Sequence, residues 1–152
     1  MEQAIIKASS DDIAIDRYRK VKRLKLKLFG RTLNSGEKVI HESKVAEFPD
    51  GTSISLVVRA VSGFQDGPTV VMLGLQHGDE YSGMEIINRL MDQLEPDELS
   101  GSVAALPVSN PMALNTAGRM APESMGYENL NMNRVWPGDP EGLLTERIAA
   151  AI

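Results

Sequence analysis

An apolar run that ends abruptly in a polar cluster constrains this chain more than any other feature. Val70-Val71-Met72-Leu73 is followed by Gly74-Leu75-Gln76-His77-Gly78-Asp79-Glu80. Turn formers bound it, Gly67-Pro68 before and Gly78 after. A short run of this kind, without polar alternation, reads as a buried strand. From Tyr81 to Leu94 the period changes, and Met84, Ile87, Leu90, Met91 and Leu94 fall at helical spacing. Pro96 disfavours helix at the residue before it and stops the pattern. Ser102 to Val108 is a second apolar strand. Strand, helix and strand in so short a span make one crossover unit, which requires a parallel pair. The polar cluster then lies at the C-terminal end of a strand, the edge where open α/β sheets bind ligands.

Within that cluster His77 and Glu80 are three residues apart, with Gly78 free to bend between them. An imidazole nitrogen and a carboxylate oxygen can share a divalent metal, and zinc accepts that set with a third protein ligand and an open position for water. A plainer reading is open at this point, since a lone His-x-x-Glu often occurs by chance. Asp79 or Glu80 near a helix N-terminus suits the helix dipole, and His77 would then be a surface loop residue.

The segments before the cluster read as β structure. Leu24, Leu26 and Leu28 alternate with Lys25 and Lys27, which suits an edge strand ending at Phe29-Gly30. Val39 to Phe48 and Thr52 to Val61 flank the turn Pro49-Asp50-Gly51 and make a hairpin. Ile54, Leu56 and Val58 would share one face of it, with Ser53, Ser55, Val57 and Arg59 on the other. Ser62 to Pro68 reads as a loop. Further upstream, Ser9 to Asp12 reads as a turn or helix cap, and Ile13 to Val21 fits a helix or an irregular arm.

After the second crossover strand, Ser109-Asn110-Pro111 lies at the same sheet edge, and Pro111 to Thr116 reads as a short helix with proline in its first turn. Leu144 to Ile152 begins another helix whose apolar positions, Leu144, Ile148 and Ile152, need a partner.

Charge and composition exclude several classes. Residues 1–31 carry nine Lys/Arg against four Asp/Glu, and the remainder seven against seventeen. The basic arm has no aromatics beyond Tyr18 and Phe29, and the acidic remainder would repel phosphate, so it reads as a solvated face and nucleic acid is not an expected partner. There are no cysteines, which excludes disulfides, thiolate metal sites and cysteine nucleophiles. No signal peptide and no stretch of membrane-spanning length is visible, so a cytoplasmic location and no membrane partner are expected.

Four polar groups gather after successive strands: His77 with Glu80, Asn110, Arg119, and Asn133 with Arg134. A guanidinium can stabilise a developing oxyanion or grip a carboxylate with two prongs. Singly, the arginines read as surface ion pairs and Asn110-Pro111 as a turn. The ordered set resembles the succinylglutamate desuccinylase/aspartoacylase family, zinc-dependent relatives of carboxypeptidase A-type metallopeptidases. The residues that carry the resemblance are Gly74-Leu-Gln-His77-Gly-Asp-Glu80, Asn110-Pro-Met-Ala113, Arg119-Met-Ala-Pro122 and Asn131-Met-Asn133-Arg134-Val-Trp-Pro-Gly138, and it runs from about Phe48 to Ile152.

The resemblance implies that His77 and Glu80 hold one zinc ion, that Arg119 polarises the scissile carbonyl, and that Asn133 and Arg134, with Asn110 nearby, bind the substrate. It implies hydrolysis of an amide, with an N-acyl amino acid or similar small carboxylate as substrate. Peptide hydrolysis by a metallocarboxypeptidase is the near alternative, and a non-catalytic zinc-binding or interaction domain the distant one. Met132 departs mildly from the family's usual leucine. The third zinc ligand and the general base of the family lie further downstream, and the only other histidine here, His41, precedes the motif on a hairpin strand. The expected fold is therefore α/β and truncated, a partly parallel, zinc-carboxypeptidase-like sheet with flanking helices and an N-terminal β hairpin element. Residues 1–47 would form the arm and β element, and residues 48–152 the first part of a catalytic domain. Homo-oligomerisation is left open.

Overall fold

The computed structural model describes residues 26–121 and 131–152. The expectations for Ser9 to Asp12, for Ile13 to Val21 and for Leu24 lie outside these residues.

A two-residue hairpin comes first, β1 (Lys27–Leu28) against β2 (Arg31–Thr32). Phe29 and Gly30 form its turn with φ of 46° and 83°, the double left-handed geometry that matches the twist of flanking strands. Next come β3 (Lys38–Glu47) and β4 (Ser53–Ser62), antiparallel, joined by the expected Pro49-Asp50-Gly51 turn. Asp50 closes that turn by accepting hydrogen bonds from the Thr52 amide and hydroxyl. Ile54, Leu56 and Val58 are buried on one face, as their alternation required. The boundary expected between residues 47 and 48 falls in the connection of this hairpin, inside one sheet.

The crossover unit follows: β5 (Gln65–Leu73), α1 (Tyr81–Gln93), a short 3-10 turn at Pro96–Glu98, and β6 (Ser100–Leu106). β5 and β6 are parallel, as the spacing demanded. The strand order is β3-β4-β6-β5, so β6 inserts antiparallel beside β4 and leaves β5 at the edge. Two expectations are corrected here. The segment from Ser62 to Pro68 is not a long loop, because β5 already begins at Gln65. The strand that delivers His77 is not buried: among the described residues only β6 flanks it, and Val70 is 48% exposed and Val71 59%. Its Pro68 is tolerated because an edge strand has amides that pair with nothing.

Helices cover both faces. α1 places Ile87 and Met91 against Val61, Val103 and Ala105. On the other face α2 (Pro111–Thr116), a 3-10 turn at Met132–Arg134 and α3 (Leu144–Ala151) close a larger core. In it Met132 and Ile148 meet Leu56, Val58, Ala60, Ala104 and Leu106. The terminal helix finds the partner its apolar positions need: Ile148 is 1% exposed, and Leu144 and Ile152 pack against the same cluster. No helix among the described residues is long and apolar enough to cross a membrane.

Candidate metal and substrate site

The site is built where β5 ends. After Leu73 the chain does not enter its helix at once but runs along the end of β6. The Gly74 amide donates to the Leu106 carbonyl at 2.9 Å, and the Gly74 carbonyl accepts from the Ser109 amide at 2.9 Å. The Leu75 carbonyl accepts from the Asn110 amide at 3.1 Å. These bonds hold Leu75, almost fully buried, at a φ of 45°. A bulky residue adopts that left-handed conformation only where its surroundings over-determine it. The kink turns His77 inward, leaving it 3% exposed.

Gly78 is required by close approach. A Cβ there would lie 2.0 Å from the Ala113 carbonyl oxygen and 2.5 Å from that of Gly118. Both contacts are to backbone, so no side-chain rotation relieves them. Gly78→Ala is expected to cost about 3 kcal/mol or more, at the top of the range for an overpacked site. Chemical denaturation of the two proteins side by side checks this.

α1 does begin at the polar cluster, with Glu80 at the N-cap position. To that extent the plain helix-start reading is right. Yet the Glu80 side chain makes no capping bond. Its Oε1 instead lies 2.9 Å from His77 Nδ1 and accepts from Arg119 Nη1 at 3.3 Å. The hydrogen bond with His77 holds the Glu80 carboxyl below the usual carboxylate range; burial opposes it, and the charges of His77 and Arg119 and the bond from Arg119 add to the lowering. It is therefore ionised at neutral pH.

The other ring nitrogen is also engaged. His77 Nε2 lies 3.2 Å from Asn131 Oδ1, and the orientation of that amide is fixed because the same oxygen accepts from the Asn133 amide at 3.1 Å. Nδ1 thus faces a carboxylate oxygen, while Nε2 faces the Asn131 oxygen and, at 3.5 Å, the Asn133 amide nitrogen. A proton on Nδ1 satisfies this arrangement, and so does a cation shared by Nδ1 and Glu80. The donor set, an imidazole nitrogen beside a carboxylate oxygen, fits a divalent metal. It fits as two ligands, since no group of three His, Cys, Asp or Glu side chains that could hold an ion forms among the described residues. His41 is no third ligand: it lies on β3, the opposite edge of the sheet, with its ring 6.4 Å from that of Phe29.

The remaining candidates divide into two kinds. Arg119 and Asn133 come together with His77 and Glu80; Asn133 Nδ2 is 3.5 Å from His77 Nε2. Arg134 is exposed on the same turn. Asn110 is different. It is 1% exposed; its Oδ1 caps α2 by accepting from the Ala113 amide, and its Nδ2 donates to the Gln76 carbonyl at 3.2 Å. Both ends of its amide are committed to holding loops together. The sequence reading passed over three residues that build the site: Asn131, Gln76 and Trp136. Trp136 Nε1 donates to Gln76 Oε1 at 3.2 Å across sixty positions of sequence. All three stand within the quoted motifs, but nothing local in the sequence pairs them.

Comparison with known proteins identifies the family. Residues 66–152 match the model of the succinylglutamate desuccinylase/aspartoacylase catalytic domain. The N-alpha-acetyl-L-2,4-diaminobutyric acid deacetylase of Halomonas elongata is 38% identical over 84 residues, which is 55% of this chain and 23% of that protein. A succinylglutamate desuccinylase/aspartoacylase structure from Rhodobacter sphaeroides superposes with a TM-score of 0.67 at 26% identity, over 78% of this chain and 36% of that one. An aspartoacylase family protein from Mesorhizobium loti gives 0.62 at 30% identity, over 79% and 37%. The chain thus spans about a quarter of the curated relative and just over a third of these solved relatives. With the family model covering more than half of its length and the sheet superposing on solved members, this chain belongs to the succinylglutamate desuccinylase/aspartoacylase family.

Proposed function

We propose that the whole protein is a zinc-dependent amide hydrolase that removes the acyl group from a small N-acyl amino acid, and that this chain supplies two of the metal ligands and the substrate clamp. One observation carries the reading. The Glu80 carboxylate turns away from the helix it starts and faces His77 Nδ1 and Arg119 together. The name of the Halomonas relative, a deacetylase of an N-acetylated diamino acid, supports the substrate class.

His77 and Glu80 would hold the zinc ion, which when bound supplies Lewis-acid polarisation and a water that ionises near neutral pH. The chain's other residues do the rest. Arg119, more than half exposed beside Glu80, can donate to the amide carbonyl oxygen as negative charge builds there. Arg134 offers a planar fork to the substrate carboxylate. Asn133 Nδ2, close to His77, can donate to a polar group of the bound substrate. Asn131 Oδ1, 3.2 Å from Nε2, would accept from that nitrogen once Nδ1 holds the metal and so keep the imidazole from rotating.

Chelation is the test. Dialysis of the whole protein against a strong chelator should reduce hydrolysis of N-acetylated diamino acids to background, and stoichiometric zinc should restore it. Full activity in protein shown by elemental analysis to be metal-free would remove the zinc reading.

A further inference from the structure

Two consecutive residues of the kinked loop bond the same distant turn. His77 Nε2 faces Asn131 Oδ1, and Gln76 Oε1 accepts from Trp136 Nε1 at 3.2 Å. The chain leaves the site at Ala121 and is next described at Asn131. Asn131, Asn133 and Trp136 then make the side-chain bonds between the returning turn and the His77 loop.

Gln76 is held twice. Its carbonyl accepts from Asn110 Nδ2 at 3.2 Å, and its side chain accepts from the indole. It follows Leu75, whose left-handed backbone persists only under restraint. The backbone bonds at Gly74 and Leu75 run to Leu106, Ser109 and Asn110, at and just after the end of β6. Trp136 adds a side-chain bond from the returning turn. Without it the turn can shift relative to the imidazole, and Asn131 no longer fixes the ring.

We propose that Gln76 and Trp136 are positioning residues that act as one unit, clamping the Asn131–Trp136 turn over the His77 loop and so setting His77 for metal binding. The proposal rests on the metal reading given above. Neither residue touches the metal or the substrate in this role; each acts through the geometry of His77.

A double-mutant cycle on zinc affinity tests it. Gln76→Leu removes the acceptor, and Trp136→Phe keeps an aromatic ring while removing the donor. Zinc dissociation constants are measured by chelator competition in the whole protein for wild type, both single variants and the double variant, with His77→Ala as reference. Each single variant is expected to weaken zinc about 10-fold, the low end for groups that orient a metal ligand. The double variant is expected to be no weaker than either single, because the second substitution removes nothing further. Additive losses would show that the two side chains act separately and would overturn the proposal. So would unchanged affinity in the single variants while His77→Ala loses zinc. If His77→Ala itself binds zinc as wild type does, the metal reading fails first and this proposal with it. Circular dichroism of Trp136→Phe, the milder change, separates loss of the clamp from loss of fold.

Discussion

Replacing His77 by alanine is expected to abolish stoichiometric zinc binding and to bring amide hydrolysis by the whole protein to background. The substitution removes the Nδ1 donor that Glu80 faces at 2.9 Å. It also leaves the Asn131 oxygen without its partner at Nε2. Groups that merely orient a metal ligand are worth about 10–100-fold in affinity, so loss of a ligand should exceed that. Elemental analysis of purified variant and wild type is the measurement. Wild-type zinc content in His77→Ala would show that the ion, if present, sits elsewhere.

The second large effect is expected at Arg134. Lysine keeps the charge there but not the planar pair of donors, so Arg134→Lys tests geometry rather than electrostatics. Arg134 is exposed at the end of the 3-10 turn that Asn131 caps, so its backbone is fixed while its side chain reaches outward. Loss of a charge-assisted two-pronged contact should cost about 2–4 kcal/mol, or roughly 30- to 900-fold in kcat/KM. Steady-state kinetics on an N-acetyl amino acid and on its carboxamide analogue separate the possibilities. The loss should appear with the carboxylate substrate and vanish with the carboxamide. Equal kinetics of variant and wild type on the carboxylate substrate would remove the role.

Local features of the sequence carried a good part of this fold. The alternation through Ile54, Leu56 and Val58, broken by Pro49-Asp50-Gly51, specified the hairpin and its buried face. The change of period after Glu80 specified the crossover helix and the parallel pair. Strand order was not legible in the same way. Ser62 and Gln65 are near neighbours in sequence, but β6 comes between β4 and β5, and no local pattern encodes that insertion. Val70 and Val71 look like core residues for the same reason, since their composition does not say which side of the strand is paired. In the site, spacing alone raised His77 and Glu80 as a pair. The commitment of Asn110 to the Ala113 amide was invisible because an Asn-Pro step reads equally as a turn or as a helix cap. Asn131 and Trp136 escaped because their partners lie 54 and 60 residues away.

The insertion of β6 between β4 and β5 also sets an order of assembly. β3 and β4 can pair as soon as both exist, since their hairpin closes over a few residues. β5 cannot, because its partner β6 follows the whole of α1. Loop-closure entropy must be met before that parallel contact forms, so β5 waits, apolar and unpaired, while the hairpin stands ready. The kink at Leu75 waits longer still, because its hydrogen-bond donors, Ser109 and Asn110, come after β6. His77 is turned inward only when that kink closes. On the zinc reading proposed above, a metal offered to the chain as it emerges would meet scattered carboxylates and imidazoles rather than a site, and its capture would belong to the last steps of folding.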